Sequence, residues 1–219
     1  MRRIRFEKTG NAVWISHLDL MRTMQRAFRR AGLLLQHTQG YHPRAYVAMA
    51  LPLPVGTASR CELMEFELAE GPADTAALPA LLNPVLPAGI RCLEGYDGGE
   101  KLRELAYLRA RVTLEYDRGV PDGAEAAISA LLSGPALVVE KKSKAGPVEQ
   151  DIRPMLREWT LTRPDGGTLA LEAVVCAQNP SLNPDLLAAA VARHLPAMAP
   201  DFAATERLAF YNGSGAVFR

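Results

Sequence analysis

The sequence predicts an α+β protein built as two tandem ferredoxin-like (βαββαβ) sandwiches, over residues 1–98 and 105–219. Three observations predict it. Short segments alternate apolar and polar residues with the period of half-buried strands, and they are interleaved with segments whose apolar residues recur at helical spacing. The order strand, helix, strand, strand, helix, strand reads twice along the chain. Between the two readings lies Gly95-Tyr-Asp-Gly-Gly-Glu-Lys-Leu-Arg-Glu104, whose glycines and charges supply turns without a core.

In the first half, residues 3–8 form a strand pattern and residues 16–31 an amphipathic helix pattern. Residues 46–53 and 61–70 read as two strands. Residues 75–86 are apolar enough for a helix that Pro79 and Pro84 shorten, and residues 90–95 close the set. In the second half, residues 107–116 alternate cleanly, residues 123–132 are an Ala-rich helix and residues 137–142 a strand. Residues 150–154 and 158–163 are strand or loop. Pro164-Asp-Gly-Gly167 is a turn leading into a strand over 168–177. Asn183 caps a helix with Pro184 at its first position, running to about His194, and residues 205–211 are the closing strand. No repeat of the sequence itself supports the duplication, which rests on element order.

The composition bounds the function. The 219 residues are 48% hydrophobic and 22% charged, the balance of a globular domain, which excludes collagen-like, coiled-coil and disordered classes. No uncharged apolar run approaches the ~18 residues of a membrane helix. Met1-Arg2-Arg3-Ile4-Arg5-Phe6 has no apolar signal region behind it, so the expected location is the cytoplasm. Cys61, Cys92 and Cys176 are scattered and odd in number; they read as buried thiols rather than a disulfide framework or a zinc or iron–sulfur ligand set. No bound metal or cofactor is expected. Gly95-x-x-Gly98-Gly99 matches neither phosphate-binding glycine pattern.

The net charge of +1 hides an asymmetry. Residues 1–50 hold nine basic residues against Glu7 and Asp19, a net +7, and the rest of the chain holds sixteen against twenty-two, a net −6. A basic quarter on an acidic body points to a directed anionic contact: RNA, a phosphate-bearing molecule or an acidic protein face. The helix over 16–31 concentrates it. Leu20, Met21, Met24, Ala27, Phe28 and Ala31 share one face, while Arg22, Arg26, Arg29 and Arg30 lie across from it. No acid stands four residues away to neutralise them, and planar guanidiniums suit phosphate and carboxylate. A solvated face is the alternative. Ser16 with Asp19 fits a capping box, with His17 on the apolar side of the first turn. Gln39-Gly-Tyr41-His42-Pro43-Arg44 then sets an aromatic, an imidazole and a guanidinium on one loop that Gly40 turns and Pro43 stiffens.

Phe6-x-Lys8-x-Gly10, Ile15-Ser-His-Leu-Asp-Leu-Met-Arg22 and Arg26-Ala-Phe-Arg-Arg-Ala-Gly32 together resemble the N-terminal signature of the radical-SAM-linked family, a domain of unknown function catalogued as DUF2344. Gln39–Pro43 and Ala50-Leu-Pro-Leu-Pro-Val-Gly56 are similar to the family's next block, with Glu62 and Glu65 after it. Lys141-Lys-Ser-Lys144 followed by Asp151-Ile-Arg-Pro154 resembles a later basic-then-acidic motif. The resemblance is dense over residues 1–70 and thin over 95–135 and beyond 155. Relatives often carry another His or Lys after Pro43, where this chain has Arg44-Ala45, which argues against a histidine metal site in the loop. What the resemblance implies is a partner: a radical SAM protein with a cobalamin-binding domain, often near RNA-processing or ribosomal genes.

The expectation is therefore a non-catalytic accessory or substrate-presenting protein for a cobalamin-dependent radical SAM enzyme, linked to RNA or ribosome modification. Arg22, Arg26, Arg29 and Arg30 with Tyr41, His42 and Arg44 would contact the RNA or the enzyme. The chain cannot itself be the radical SAM enzyme, since an iron–sulfur cluster needs closely spaced thiolates. The alternative is an RNA-binding or RNA-processing enzyme using histidine acid–base catalysis, with His17, His42 and Asp19 as candidates. Ser16, His17 and Asp19 on one helix turn cannot converge as a triad. A pure interface for the enzyme is a third reading. With 6% aromatic residues, and Tyr46, Phe66 and Tyr107 scattered, any RNA contact is expected to be through the backbone and steeply salt-dependent. Lys141, Lys142, Lys144 and Arg153 read as a solvated hairpin, Trp14 and Trp159 as core anchors, and His37 and His194 as surface or helix-end residues.

Overall fold

A computed structural model describes residues 1–71, 74–143 and 146–219. The chain is α+β and divides into two compact units, Met1–Glu104 with Phe218–Arg219, and Leu105–Val217. Lys144 of the basic motif lies outside the described residues.

Unit 1 contains β1 (Arg2–Lys8), α1 (His17–Arg30), the two-residue β2 (Leu34–Leu35), β3 (Val47–Met49), β4 (Ala58–Phe66), β5 (Leu68–Glu70), α2 (Leu78–Leu82) and β6 (Ile90–Asp97). Its sheet runs β6-β1-β4-β3 with every pairing antiparallel, and β2 pairs β5 in a separate ladder. Ile4 and Phe6 of β1 and Met64 and Phe66 of β4 meet Leu20, Met24, Ala27 and Phe28 of α1 in one core. Phe28 meets Phe66 edge to face, with ring centroids 4.8 Å apart. The α1 stripe thus packs on the sheet and turns its arginine face outward.

Two buried cations brace this unit. Lys8 is fully buried, and its Nζ donates to the carbonyls of Val13 (3.1 Å), Ile15 (3.1 Å) and Pro54 (3.4 Å). An ammonium taken out of water needs such partners. These three tie the entry of α1 to the loop before β4. The Gly56 N–H reinforces the tie by donating to the Val13 carbonyl (2.8 Å), as does the Leu53 N–H by donating to His17 Nδ1 (3.5 Å). Arg3, also buried, pairs with Glu65 directly across on β4. Its Nε donates to Glu65 Oε1 at 2.9 Å, its Nη2 reaches the Glu100 carbonyl, and its guanidinium lies 5.6 Å from the Phe218 ring centroid.

Unit 2 contains β7 (Leu105–Glu115), α3 (Ala124–Ser133), β8 (Val138–Ser143), β9 (Gly146–Asp151), β10 (Leu156–Asp165), β11 (Thr168–Cys176), α4 (Asp185–His194) and β12 (Phe202–Asn212). Its sheet runs β12-β7-β11-β10, again antiparallel throughout, and β8 and β9 form a separate hairpin. Leu108, Ala110, Val112 and Leu114 of β7 are buried, as are Ile128 and Leu132 of α3 and Leu187 and Val191 of α4. The other parity of β7, from Tyr107 through Arg109 and Arg111 to Thr113, stays half-buried or exposed.

Three elements depart from the extents their composition suggests. The apolar stretch over 75–86 yields a helix only at Leu78–Leu82, flanked by 3-10 turns at Thr75–Ala77 and Asn83–Val85, as its two prolines require. The strand pattern over 46–53 is strand only at Val47–Met49, ahead of Pro52 and Pro54. The run over 61–70 divides into β4 and β5, which pair with different partners. Trp14 is a correction: expected in the core, it is 64% exposed, its ring beside Gly56. No described helix is long and apolar enough to cross a membrane.

Candidate functional site

The first helix begins as its sequence requires. Ser16 is the N-cap in extended conformation; its Oγ accepts the Asp19 N–H (3.2 Å) and donates to Asp19 Oδ2 (2.8 Å). Asp19 Oδ1 accepts Arg22 Nη1 at 3.0 Å. The Ser16 hydroxyl first and the Arg22 guanidinium second hold the Asp19 carboxyl below its usual range. At the other end Gly32, at φ +73°, lets the chain leave the helix, and the Leu33 N–H closes it by donating to the Phe28 carbonyl (2.9 Å). That sharp exit brings Leu33–Leu35 back beside the arginines.

The result is a groove of about 220 Å³ lined by Arg22, Arg26, Arg29, the Leu33–Leu35 segment and His37. Three of the four stripe arginines therefore face one concavity; Arg30 is exposed but does not line it. Arg22 pairs with Asp19. Among the described residues, no hydrogen bond or ion pair holds the guanidinium of Arg26, Arg29 or Arg30. His37, read from the sequence as a surface or helix-end residue, is exposed and also lines the groove. Its Nδ1 donates to the Leu35 carbonyl (3.0 Å), which leaves Nε2 as the second polar atom of the ring. A two-residue strand gives no periodicity, so nothing in the sequence announced this placement.

The aromatic–basic loop forms a closed excursion over residues 36–46. The Thr38 N–H donates to the Arg44 carbonyl (2.8 Å), the Arg44 N–H donates to Thr38 Oγ1 (3.1 Å), and the Tyr46 N–H donates to the Gln36 carbonyl (2.7 Å). Gly40 sits at φ +145°. Tyr41 at the tip is 95% exposed, and its ring meets His42 edge to face at 4.9 Å. Arg44 is exposed, but neither it nor Tyr41 or His42 lines the groove. Among the described residues no hydrogen bond joins His17 or His42 to Asp19, whose two oxygens serve Ser16 and Arg22.

Unit 2 carries the larger concavity, a cleft of about 910 Å³ over the accessible face of its sheet. Glu172 on β11 accepts Arg109 Nε (3.2 Å) and Arg111 Nε (3.0 Å), both side chains projecting from β7. The Arg111 and Arg109 guanidiniums hold its carboxyl below the usual range, and Glu172, with the Tyr211 hydroxyl next, raises Arg109. Arg157 lies over the Tyr107 ring, 5.3 Å from the centroid.

The remaining expectations divide. Lys141 lies on the exposed face of the β8–β9 hairpin, which α4 holds through Arg193 to Glu149 and His194 Nε2 donating to the Val138 carbonyl (2.7 Å). Arg153 turns inward instead, its Nε donating to the Gly134 carbonyl (3.2 Å) and Nη1 to the Leu156 carbonyl (3.0 Å). All three cysteines are free; Cys61 and Cys92 are buried and Cys176 half-buried. Burial pushes the Cys92 thiol up to about 12.

The model of a family described as an uncharacterized protein conserved in bacteria, DUF2344, matches residues 2–184. No curated protein matches in sequence. Among solved structures, a chain in the crystal structure of a Cbf5-Nop10-Gar1 complex is similar at TM-score 0.54 and 9% identity, over 94% of this chain and 47% of that one. A chain of an H/ACA RNP bound to a substrate RNA containing 2′-deoxyuridine aligns over 98% of this chain and 48% of its own length, at TM-score 0.45 and 9% identity. The chain thus spans about half the length of these solved chains, and at such identity the first likeness is one of fold.

Proposed function

The chain belongs to the DUF2344 family, and we propose that it acts as a non-catalytic accessory protein that presents RNA to a cobalamin-dependent radical SAM enzyme. One observation carries the reading: Arg22, Arg26 and Arg29 line a single groove, and two of them have no ion-pair partner among the described residues. Guanidinium forks left free in a concavity suit phosphate oxygens, which accept two parallel N–H donors. At about 220 Å³ the groove is smaller than the ~300–1,000 Å³ of a typical small-molecule pocket. It suits a stretch of nucleic-acid backbone passing across it. Tyr41, His42 and Arg44 on the neighbouring loop extend the same unit's polar surface. The radical SAM partner comes from the family resemblance, and the assignment to RNA from the groove.

The non-catalytic part rests on how the acid–base candidates are used. Asp19 is committed to the helix cap and to Arg22, and His17 Nδ1 accepts a backbone N–H. These are structural duties. We also propose that each unit is a ferredoxin-like sandwich, since β6-β1-β4-β3 and β12-β7-β11-β10 present the same antiparallel order with one helix after the first strand and one before the last.

The test is co-purification with the radical SAM protein encoded beside it, with sequencing of retained RNA at two salt concentrations. RNA bound by the chain, weakened by salt and lost in Arg26→Glu/Arg29→Glu, is the expected outcome. In a His37→Ala background, which removes the one imidazole lining the groove among the described residues, binding should be flat between about pH 5 and 8, because guanidiniums do not titrate there and an imidazole does. A sigmoid profile that His42→Ala abolishes would overturn the reading in favour of histidine chemistry.

A further inference from the structure

The cleft of unit 2 has a composition unlike the α1 groove. Tyr107 of β7 and Tyr211 of β12 stand directly opposite each other in the antiparallel ladder, where side chains start about 4.5–5.5 Å apart at Cβ. Both line the cleft. Arg157 lies over the Tyr107 ring and is itself exposed, so its guanidinium is accessible from solvent. The charged lining consists of Arg109 and Arg157 against Glu158 and Glu172, which sums to zero. Arg109 is already engaged by Glu172. Such a surface does not attract phosphate, yet it offers flat faces with donors and acceptors at their rims. A planar, uncharged, polar-edged group is its complement.

We propose that this cleft binds unpaired RNA bases, one or two at a time, stacked on Tyr107, Tyr211 and the Arg157 guanidinium. The inference rests on the reading of the chain as an RNA-presenting protein and adds what part of the RNA is recognised. Bases in a helix have their faces covered by their neighbours, so a stacking surface selects single strands, and aromatic rings or guanidinium planes are the usual platforms. The volume, about 910 Å³, is at the upper end of the range for small-ligand sites and leaves room for more than one base. Because the cleft is neutral, its contribution resists salt, unlike that of the arginine groove. The two surfaces thus have separable signatures: unit 1 supplies charge and unit 2 supplies strand selectivity.

The experiment is anisotropy of fluorescein-labelled hexauridine and of a labelled 12-base-pair RNA duplex against the full chain. The variants are Tyr107→Ala/Tyr211→Ala, Tyr107→Phe/Tyr211→Phe and Arg26→Glu/Arg29→Glu. The alanine pair should weaken hexauridine at least about tenfold and leave the duplex and the salt slope unchanged, while the phenylalanine pair keeps its affinity. As a check independent of any variant, ultraviolet irradiation of wild-type chain with hexauridine should place a uridine adduct on the peptide carrying Tyr107 or Tyr211. A folded alanine pair that binds hexauridine like wild type, or adducts confined to residues 17–44, would overturn the base site while leaving the arginine groove standing. If the alanine pair loses hexauridine and the glutamate pair does not, the groove fails and the base site survives. No RNA bound by wild type at low salt would remove both.

Discussion

Arginine does opposite work in the two units. On α1, Arg26 and Arg29 face a groove with no carboxylate among the described residues holding them; on the unit 2 sheet, Arg109 and Arg111 close on Glu172 from the neighbouring strand. A guanidinium whose forks are filled by its own protein fixes a geometry. One left free keeps its directional donors for something else. Sequence spacing explains the difference. A helix face with arginines at 22, 26 and 29 lacks acids within a turn except Asp19, whereas antiparallel register sets Glu172 opposite Arg111. Arg3 is the extreme of the paired class, buried against Glu65.

That extreme supplies the largest expected effect. Glu65→Ala should cost about 3–5 kcal/mol in urea unfolding, because the Arg3 charge stays buried without its carboxylate. Replacing both partners, Arg3→Met with Glu65→Leu, should recover most of that loss. If the double variant is as unstable as the single one, the pair contributes specific geometry that hydrophobic packing cannot replace. Next comes Arg26→Glu/Arg29→Glu, which should lower RNA affinity by about 10- to 100-fold at low salt and cost only about 1 kcal/mol in unfolding, since no ion pair holds either guanidinium among the described residues and Arg29 meets the helix dipole only from the exposed last turn. A large loss of stability there would place these arginines with the paired class.

Glu172→Gln tests the other side. It should release Arg109 and Arg111 at about 1 kcal/mol or less, because all three side chains are part-exposed and solvent screens their pairing. The freed guanidiniums should then give unit 2 a salt-dependent affinity for duplex RNA that wild type lacks. If no such affinity appears, free arginine alone does not make a phosphate site, and the concavity of the α1 groove matters as much as its charge.

Elements with a clean period were readable in advance. Residues 3–8 and 16–31 are found as β1 and α1 within one residue at each end, because a strand beside a solvated face and a helix with an apolar stripe each leave a local pattern. Ser16, Asp19 and Arg22 were readable for the same reason, lying three residues apart on one helix. What escaped depends on long-range register. His37 reaches the groove through a two-residue strand, and Tyr107 stands opposite Tyr211 only because the first and last strands of unit 2 pair. Scattered aromatics in a sequence can thus be neighbours on a sheet. Trp14 escaped because its size argues for burial, yet most of the side chain stays at the surface beside Gly56.

The smallest expected change in RNA affinity decides which class Arg22 belongs to, since this residue both lines the groove and pairs with Asp19. Ser16→Ala removes the cap and should cost about 1 kcal/mol of stability. It also removes the first cause of the depressed Asp19 carboxyl, which should then titrate nearer its ordinary 3.8. A depressed folded-state carboxyl adds stability above its unfolded value and loses it as pH falls through the folded one. Wild type should therefore hold that stability to a pH below 3.8, and the variant should give it up closer to 3.8. Protonating Asp19 frees Arg22. Asp19→Asn does the same at neutral pH, and if free guanidiniums make the groove, it should strengthen RNA binding by a few-fold despite the weaker helix start. An unchanged affinity would mean that Arg22 serves the helix start, and that Arg26 and Arg29 alone carry the contact.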